Sequence, residues 1–123
     1  MKLTLSDDSR VYTISAYSEN EFTVRGEVLS GSQIIWPGKP PNSWVLTDIT
    51  RLEQDSFDLI VSEDVETVII GTGKTLIFPE DHWLEQFYNR SIGVEIMDTP
   101  AACRTYNILV SEDRNILAAL IPV

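Results

Sequence analysis

The sequence predicts an α/β fold, with a β-rich N-terminal half and a C-terminal half that alternates strand, helix, strand, helix, strand. Three observations carry this. Up to about residue 46 the chain is built of short β-branched and aromatic runs broken by polar or glycine turns. Beyond residue 67, short and almost wholly apolar runs alternate with stretches of helical period. That spacing calls for parallel strands joined by crossover helices. At 123 residues the chain fits one domain, spanning residues 1–123, able to bury a sizeable core.

The N-terminal half reads as a meander. Residues 10–17 and 21–25 carry Val11, Tyr12, Ile14, Tyr17, Phe22 and Val24, with Ser18-Glu19-Asn20 as the turn between them. Gly26 makes a second turn before Glu27-Val28-Leu29, and Gly31-Ser32 a third before Gln33-Ile34-Ile35-Trp36. Pro37-Gly38-Lys39-Pro40-Pro41-Asn42 packs three prolines and a glycine into six residues, which predicts a surface loop without regular structure. Ser43-Trp44-Val45-Leu46 is a further short strand. Asp55 or Ser56 caps a short helix with Phe57, Ile60 and Val61 on one face.

In the second half, Thr67-Val68-Ile69-Ile70 has the pattern of a strand covered on both faces, and Gly71-Thr72-Gly73 ends it. Pro79 suits the first helical position, with Glu80 and Asp81 at the positive end of the dipole. Trp83, Leu84, Phe87 and Tyr88 follow as one apolar stripe. Gly93 separates this helix from the strand Val94-Glu95-Ile96-Met97. Thr99 caps the last helix with Pro100 at its first position, and Ala102, Tyr106, Leu109 and Val110 face the core. The helix stops near Glu112–Asn115, and residues 116–121 form a closing apolar strand.

Composition bounds the function. The chain has 19 acidic and 9 basic residues, a net charge of −10, and no two basic residues are adjacent. Such a field repels phosphate backbones and anionic lipid, so the expectation is no nucleic acid and no membrane insertion. No run approaches the roughly 20 apolar residues of a membrane-spanning helix. The single cysteine, Cys103, excludes an intramolecular disulfide, and Met1-Lys2-Leu3-Thr4-Leu5-Ser6-Asp7-Asp8 lacks a signal-peptide core. The expected compartment is the cytoplasm, or else the chain is a mature form after import.

Few constellations point to chemistry. Gly73-Lys74-Thr75 ends like a phosphate loop, but the glycine required five residues before Gly73 is Val68. Leu76-Ile77-Phe78-Pro79 reads as extended, so no helix N-terminus would face a phosphate. The lone His82 builds no metal site and opens a different helix from Cys103; the expectation is no metal and no cofactor. Cys103 is read as a small buried residue rather than a nucleophile. Trp36 and Trp44, flanking the proline loop, are read as packing between layers rather than as a binding ridge.

The best candidate is a corner at the carboxyl edge of the parallel strands, where α/β proteins bind ligands. It comprises Gly71, Thr72, Gly73, Glu95, Asp98, Thr99, Cys103, Arg104 and Asn107. Glu95 lies in the middle of an apolar strand, where an unpaired carboxylate is costly. Arg104 is therefore expected to pair with Glu95 or Asp98, either fixing the strand–helix corner or binding an anion or partner.

Several segments resemble the Mth-like domain family of uncharacterised proteins: Phe22-x-Val24-x-Gly26, Trp44, Ile70-Gly71-Thr72-Gly73, Gly93 to Thr99, Ala101 to Asn107, and Ala118 to Ile121. Members of that family include the adipogenesis-associated Mth-like domain protein and a mitochondrial assembly factor for respiratory complex I. The resemblance implies a three-layer α/β fold with an added N-terminal β layer, and it carries over no catalytic residues. Together with the lack of a complete catalytic set in the sequence, it favours a non-enzymatic, protein-binding or assembly-factor-like module with a protein partner; an oligomer is compatible with the sequence. The alternative is a small-molecule or enzymatic site around Gly71, Gly73, Asp98 and Arg104.

Overall fold

A computed structural model describes residues 1–3, 11–61 and 64–123. The N-terminal meander folds into a three-stranded antiparallel sheet of β1 (Ile14–Ser18), β2 (Glu21–Val24) and β3 (Glu27–Ser30). Arg25 and Gly26 both have positive φ, 52° and 80°, the two-residue turn whose twist matches a hairpin. The first strand was expected from residue 10; Arg10 lies outside the described residues, and β1 begins at Ile14.

A second sheet holds five strands: β4 (Gln33–Trp36), β5 (Lys39–Ser43), β6 (Thr67–Thr72), β7 (Gly93–Met97) and β8 (Ile116–Ile121). Its order is β5-β4-β8-β6-β7. β6 pairs in parallel with both β7 and β8, as the alternation of strand and helix requires, while β4 joins antiparallel to β8 and β5. The last strand of the chain is thus not at the rim but near the centre, where its six residues are all buried.

The central strands split their apolar residues by period two between two cores. Val68, Ile70, Leu117 and Ala119 face α1 (Gln54–Val61) and α2 (Asp81–Asn89), whose Phe57, Ile60, Trp83 and Phe87 fill that side. Ile69, Ala118 and Leu120 face α3 (Thr99–Ser111) and the small sheet, through Ala102, Cys103, Tyr106, Ile14, Phe22 and Val24. Helices above, sheet between, helix and small sheet below make the three layers. The continuous apolar runs of β6 and β8 follow directly from burial on both faces.

Five local expectations are corrected. Residues 37–42 are not wholly irregular: Pro40 and Pro41 sit in β5, an edge strand, at the break in register between the Ile34–Asn42 and Trp36–Lys39 pairs, where neither proline occupies a regular ladder position. The strand read at Ser43–Leu46 belongs to β5 only through Ser43; Trp44 instead buries itself beneath α1 and donates its indole N–H to the Ser56 carbonyl at 3.1 Å. Pro79 precedes α2 by two residues, Glu80 being its N-cap, and Tyr88 stands 83% exposed, off the buried Trp83–Phe87 face. α1 starts at Gln54, ahead of Asp55, and Ser56 folds back on Glu53, accepting its N–H at 3.1 Å and donating to its carbonyl at 3.0 Å. Trp36 and Trp44 are both buried in the core, as packing residues are.

Candidate functional site

The corner begins where β6 leaves the sheet. Gly71 lies under the start of α3, and a Cβ there would stand 2.8 Å from Thr99 Oγ1, 2.9 Å from Leu120 Cδ2 and 3.1 Å from Ala102 Cβ. Only glycine lets helix and strand approach this closely. Two residues on, Gly73 takes φ +104°, a conformation L side chains rarely adopt. Its carbonyl accepts the Thr99 N–H at 2.9 Å, and its own N–H donates to Thr99 Oγ1 at 2.8 Å. The Thr99 hydroxyl in turn donates to the Ile121 carbonyl. One threonine therefore ties together the ends of β6 and β8 and the first turn of α3.

Asp98, not Thr99, is the N-cap: its Oδ1 accepts the Ala101 N–H at 2.9 Å, with Thr99 at the first and Pro100 at the second helical position. The expected cap is shifted by one residue because the threonine hydroxyl is already committed to the sheet. Thr72 works in the opposite direction. Its hydroxyl donates to the Thr75 carbonyl at 2.6 Å and accepts the Ile77 N–H at 3.1 Å, pinning the loop that follows.

Farther along α3, small and polar residues hold the N-terminal layer in place. Cys103 is fully buried, and desolvation pushes its thiol up to about 12, against a small opposing effect of the Arg104 charge. Burial likewise raises the Tyr106 phenol. The Tyr106 hydroxyl donates to the Tyr12 carbonyl at 2.7 Å. Asn107 grips Ile14 with both ends of its amide, accepting its N–H at 2.9 Å and donating to its carbonyl at 2.8 Å. These bonds span more than 90 residues of sequence and satisfy the start of β1 at Ile14, while Met1–Leu3 bridge the same strand at Ala16.

The expected ion pair does not form. Glu95 is exposed, and so is Arg104; among the described residues neither makes a salt bridge or hydrogen bond through its side chain. The burial premise failed because β7 is the outermost strand, so a residue in the middle of its apolar run still reaches water. Arg104 lies on the exposed side of α3. Cys103 and His82 are kept apart by the sheet, since α3 packs on one face and α2 on the other. His82 is exposed and stands 3.6 Å from Glu80.

The structure thus bonds Gly73 to Thr99 and packs Gly71 closely against Thr99, with Asp98 capping beside them and Thr72 holding the adjoining loop. Cys103 and Asn107 face the core and β1. Glu95 and Arg104 stand apart in solvent. What the residue types alone missed is the loop itself: Leu76, Ile77 and Phe78 are 50%, 38% and 61% exposed, and the buried Pro79 anchors their C-terminal side. An apolar run with neither helical nor alternating burial partners was the available signal. At the opposite, amino edge of the sheet, a hollow of about 470 Å³ opens between Val65, Arg90, Ile92 and Asn115. Among the described residues no three His, Cys, Asp or Glu side chains are grouped to hold a metal, and no helix is long and apolar enough to cross a membrane.

Comparison with known proteins places this arrangement. Over 111 residues the chain is 34% identical to NADH dehydrogenase (ubiquinone) 1 alpha subcomplex assembly factor 3 of Bos taurus, covering 89% of this chain and 60% of that protein. The chain therefore spans about three-fifths of that relative's length. A crystal structure of a Bordetella parapertussis protein superposes with a TM-score of 0.85 at 27% identity, over 94% of this chain and 99% of that one. A Bordetella pertussis protein described as an Mth938-like domain matches with a TM-score of 0.77 at 25% identity, over 99% and 92% of the two chains. The family described as a protein of unknown function, DUF498/DUF598, matches residues 14–121. With the match extending over residues 14–121, the chain belongs to the DUF498/DUF598 family and shares the fold of Mth938-like domains.

Proposed function

We propose that this chain, taken as one domain over residues 1–123, is a non-enzymatic protein-binding module of the assembly-factor type, working on protein partners in an aqueous, cytoplasmic setting. The observation that carries this reading is the loop after β6. The Thr72 hydroxyl and the buried Pro79 fix its two ends, and Leu76, Ile77 and Phe78 are turned to solvent between them. Exposing three adjacent large apolar side chains on a pinned loop is unfavourable unless another surface covers them.

Two further observations support it. The bovine relative is named for assembling an NADH dehydrogenase, and a role of that kind suits a chain whose corner residues serve internal bonds rather than an open cleft. The buried Cys103 thiol, raised well above neutrality, is a poor nucleophile where it sits. The nature of the partners follows the same kinship: subunits of a multi-subunit complex awaiting assembly.

The test is co-purification of the tagged chain at its native level, followed by sedimentation velocity. A stoichiometric complex with another protein is expected, weakened by Phe78→Asp with no change in thermal stability. A chain that sediments alone across its native concentration range would refute the proposal.

A further inference from the structure

The two edges of the five-stranded sheet are treated differently. β5 closes one edge with Pro40 and Pro41, which cannot donate to an added strand. β7 closes the other with Gly93-Val94-Glu95-Ile96-Met97 and no proline. Parallel pairing with β6 fixes which main-chain groups are free. The Gly93 N–H donates to the Glu66 carbonyl at 2.9 Å, so Gly93, Glu95 and Met97 turn their N–H and C=O inward to β6. By alternation, Val94 and Ile96 turn theirs outward, where no strand lies among the described residues.

The side chains along this edge are equally specific. Val94 and Ile96 lean into the core beneath α2. Glu95 is on the opposite face, exposed, between the two outward-facing residues. Arg114 feels the Glu95 charge but gives its Nε to Glu66 at 2.7 Å. Glu95 also argues against a second copy of this chain as the occupant. Antiparallel pairing of β7 with its own copy about the strand centre would set Glu95 directly against Glu95, a destabilising like-charge pair. The carboxyl end of β7 adjoins the end of β6, from which the exposed Leu76-Ile77-Phe78 loop departs.

We infer that β7 is a strand-accepting edge, which binds an extended segment of a partner protein carrying a Lys or Arg opposite Glu95 and apolar residues on either side of it. The inference rests on the protein-binding reading above and gives it a site and a chemistry. Main-chain bonds to Val94 and Ile96 supply the pairing, as in other β-augmentation complexes. Opposite Glu95, which bonds inward, an antiparallel partner residue occupies a non-hydrogen-bonded position, where facing side chains approach most closely. A basic residue there neutralises the one charge on the edge, and the Leu76–Phe78 loop extends the contact with apolar surface.

The test uses the full chain and the partner complex that co-purifies with it, comparing wild type with Val94→Pro and Glu95→Lys. Val94→Pro removes one outward N–H; Glu95→Lys changes only an exposed charge and keeps the fold if the proline variant does not. At least a tenfold loss of partner retention is expected for both, together with slowed amide exchange at Val94 and Ile96, and not at the already bonded Glu95 and Met97, when the wild-type complex forms. If wild type retains a partner but both variants retain it equally, or protection appears elsewhere with Val94 and Ile96 unchanged, the edge inference is overturned while the binding-module reading stands. If the purified chain alone protects these two amides by self-association, a second copy is the occupant and the inference also fails. If wild type retains no partner at all, the binding-module reading itself fails.

Discussion

Replacing Asn107 with leucine, similar in size but unable to hydrogen bond, tests whether α3 truly anchors the N-terminal layer. Ile14 is fully buried, and both its backbone groups bond the Asn107 amide, at 2.9 and 2.8 Å. The substitution leaves a buried N–H and a buried C=O without partners. At about 1–2 kcal/mol for each unsatisfied group, the loss is about 2–4 kcal/mol. For a chain of this length that corresponds to a fall of about 10 °C in Tm. Urea titration of wild type and Asn107→Leu, followed by both tryptophan fluorescence and circular dichroism, measures the difference. Tyr106→Phe removes the neighbouring bond to Tyr12 and should cost about 1 kcal/mol alone. Because Tyr12 and Ile14 lie on one short segment, the double variant should lose less than the sum of the two. A change below about 0.5 kcal/mol for Asn107→Leu would refute the anchoring role, since it would place the substitution among ordinary surface changes.

Other expectations follow from the same geometry. Thr99→Val should lose about 2 kcal/mol in chemical denaturation, because the Gly73 N–H and the Ile121 carbonyl both lose their shared partner, whereas Thr99→Ser should recover most of it. Arg104→Ala should shift stability by no more than about 0.5 kcal/mol, as an exposed side chain without an ion pair; a loss of several kcal/mol would show that it pairs after all. Cys103 should resist a thiol-labelling reagent in the folded protein at pH 8 and react only at the rate of unfolding. The fold holds this thiol protonated, up to about 12, so its contribution is complete below the unfolded thiol value of about 8.5 and declines as pH rises above it. Thermal melts should therefore show Cys103→Ala narrowing its gap to wild type between pH 8 and 11. Arg114 holds the Glu66 carboxyl below its ordinary value, and carboxylate titration by NMR should find it back in the usual range in Arg114→Ala.

Legibility in the sequence followed burial. β6, α3 and β8 could be read because they are buried on two faces or along one continuous stripe, which imposes a strong pattern. The segments that carry the family resemblance were legible for a related reason. Gly71, Thr99, Ala102, Tyr106 and Asn107 each meet a geometric demand that few other residues satisfy. What they do was not legible, because a glycine, a threonine and an asparagine at a sheet edge look alike whether they hold a ligand or the chain itself. The nine candidate corner residues, from Gly71 to Asn107, were grouped by position along the chain, and the fold divides that group. Gly71, Gly73 and Thr99 lock to one another, Asn107 reaches back to β1, and Glu95 and Arg104 face water. Pro40 and Pro41 were misread for lack of one fact, that β5 is an edge strand.

By itself the sequence determined the α/β class, the parallel strand–helix alternation and the family, since hydrophobic period and a run of constrained residues are local properties of the chain. Only the tertiary structure decided which strand lies at the rim. That choice turned Glu95 from a buried charge needing Arg104 into an exposed one, because the order β5-β4-β8-β6-β7 is fixed by crossovers between residues far apart in the chain. The same long-range packing left Leu76, Ile77 and Phe78 facing solvent, a fate their apolar character alone would have reversed.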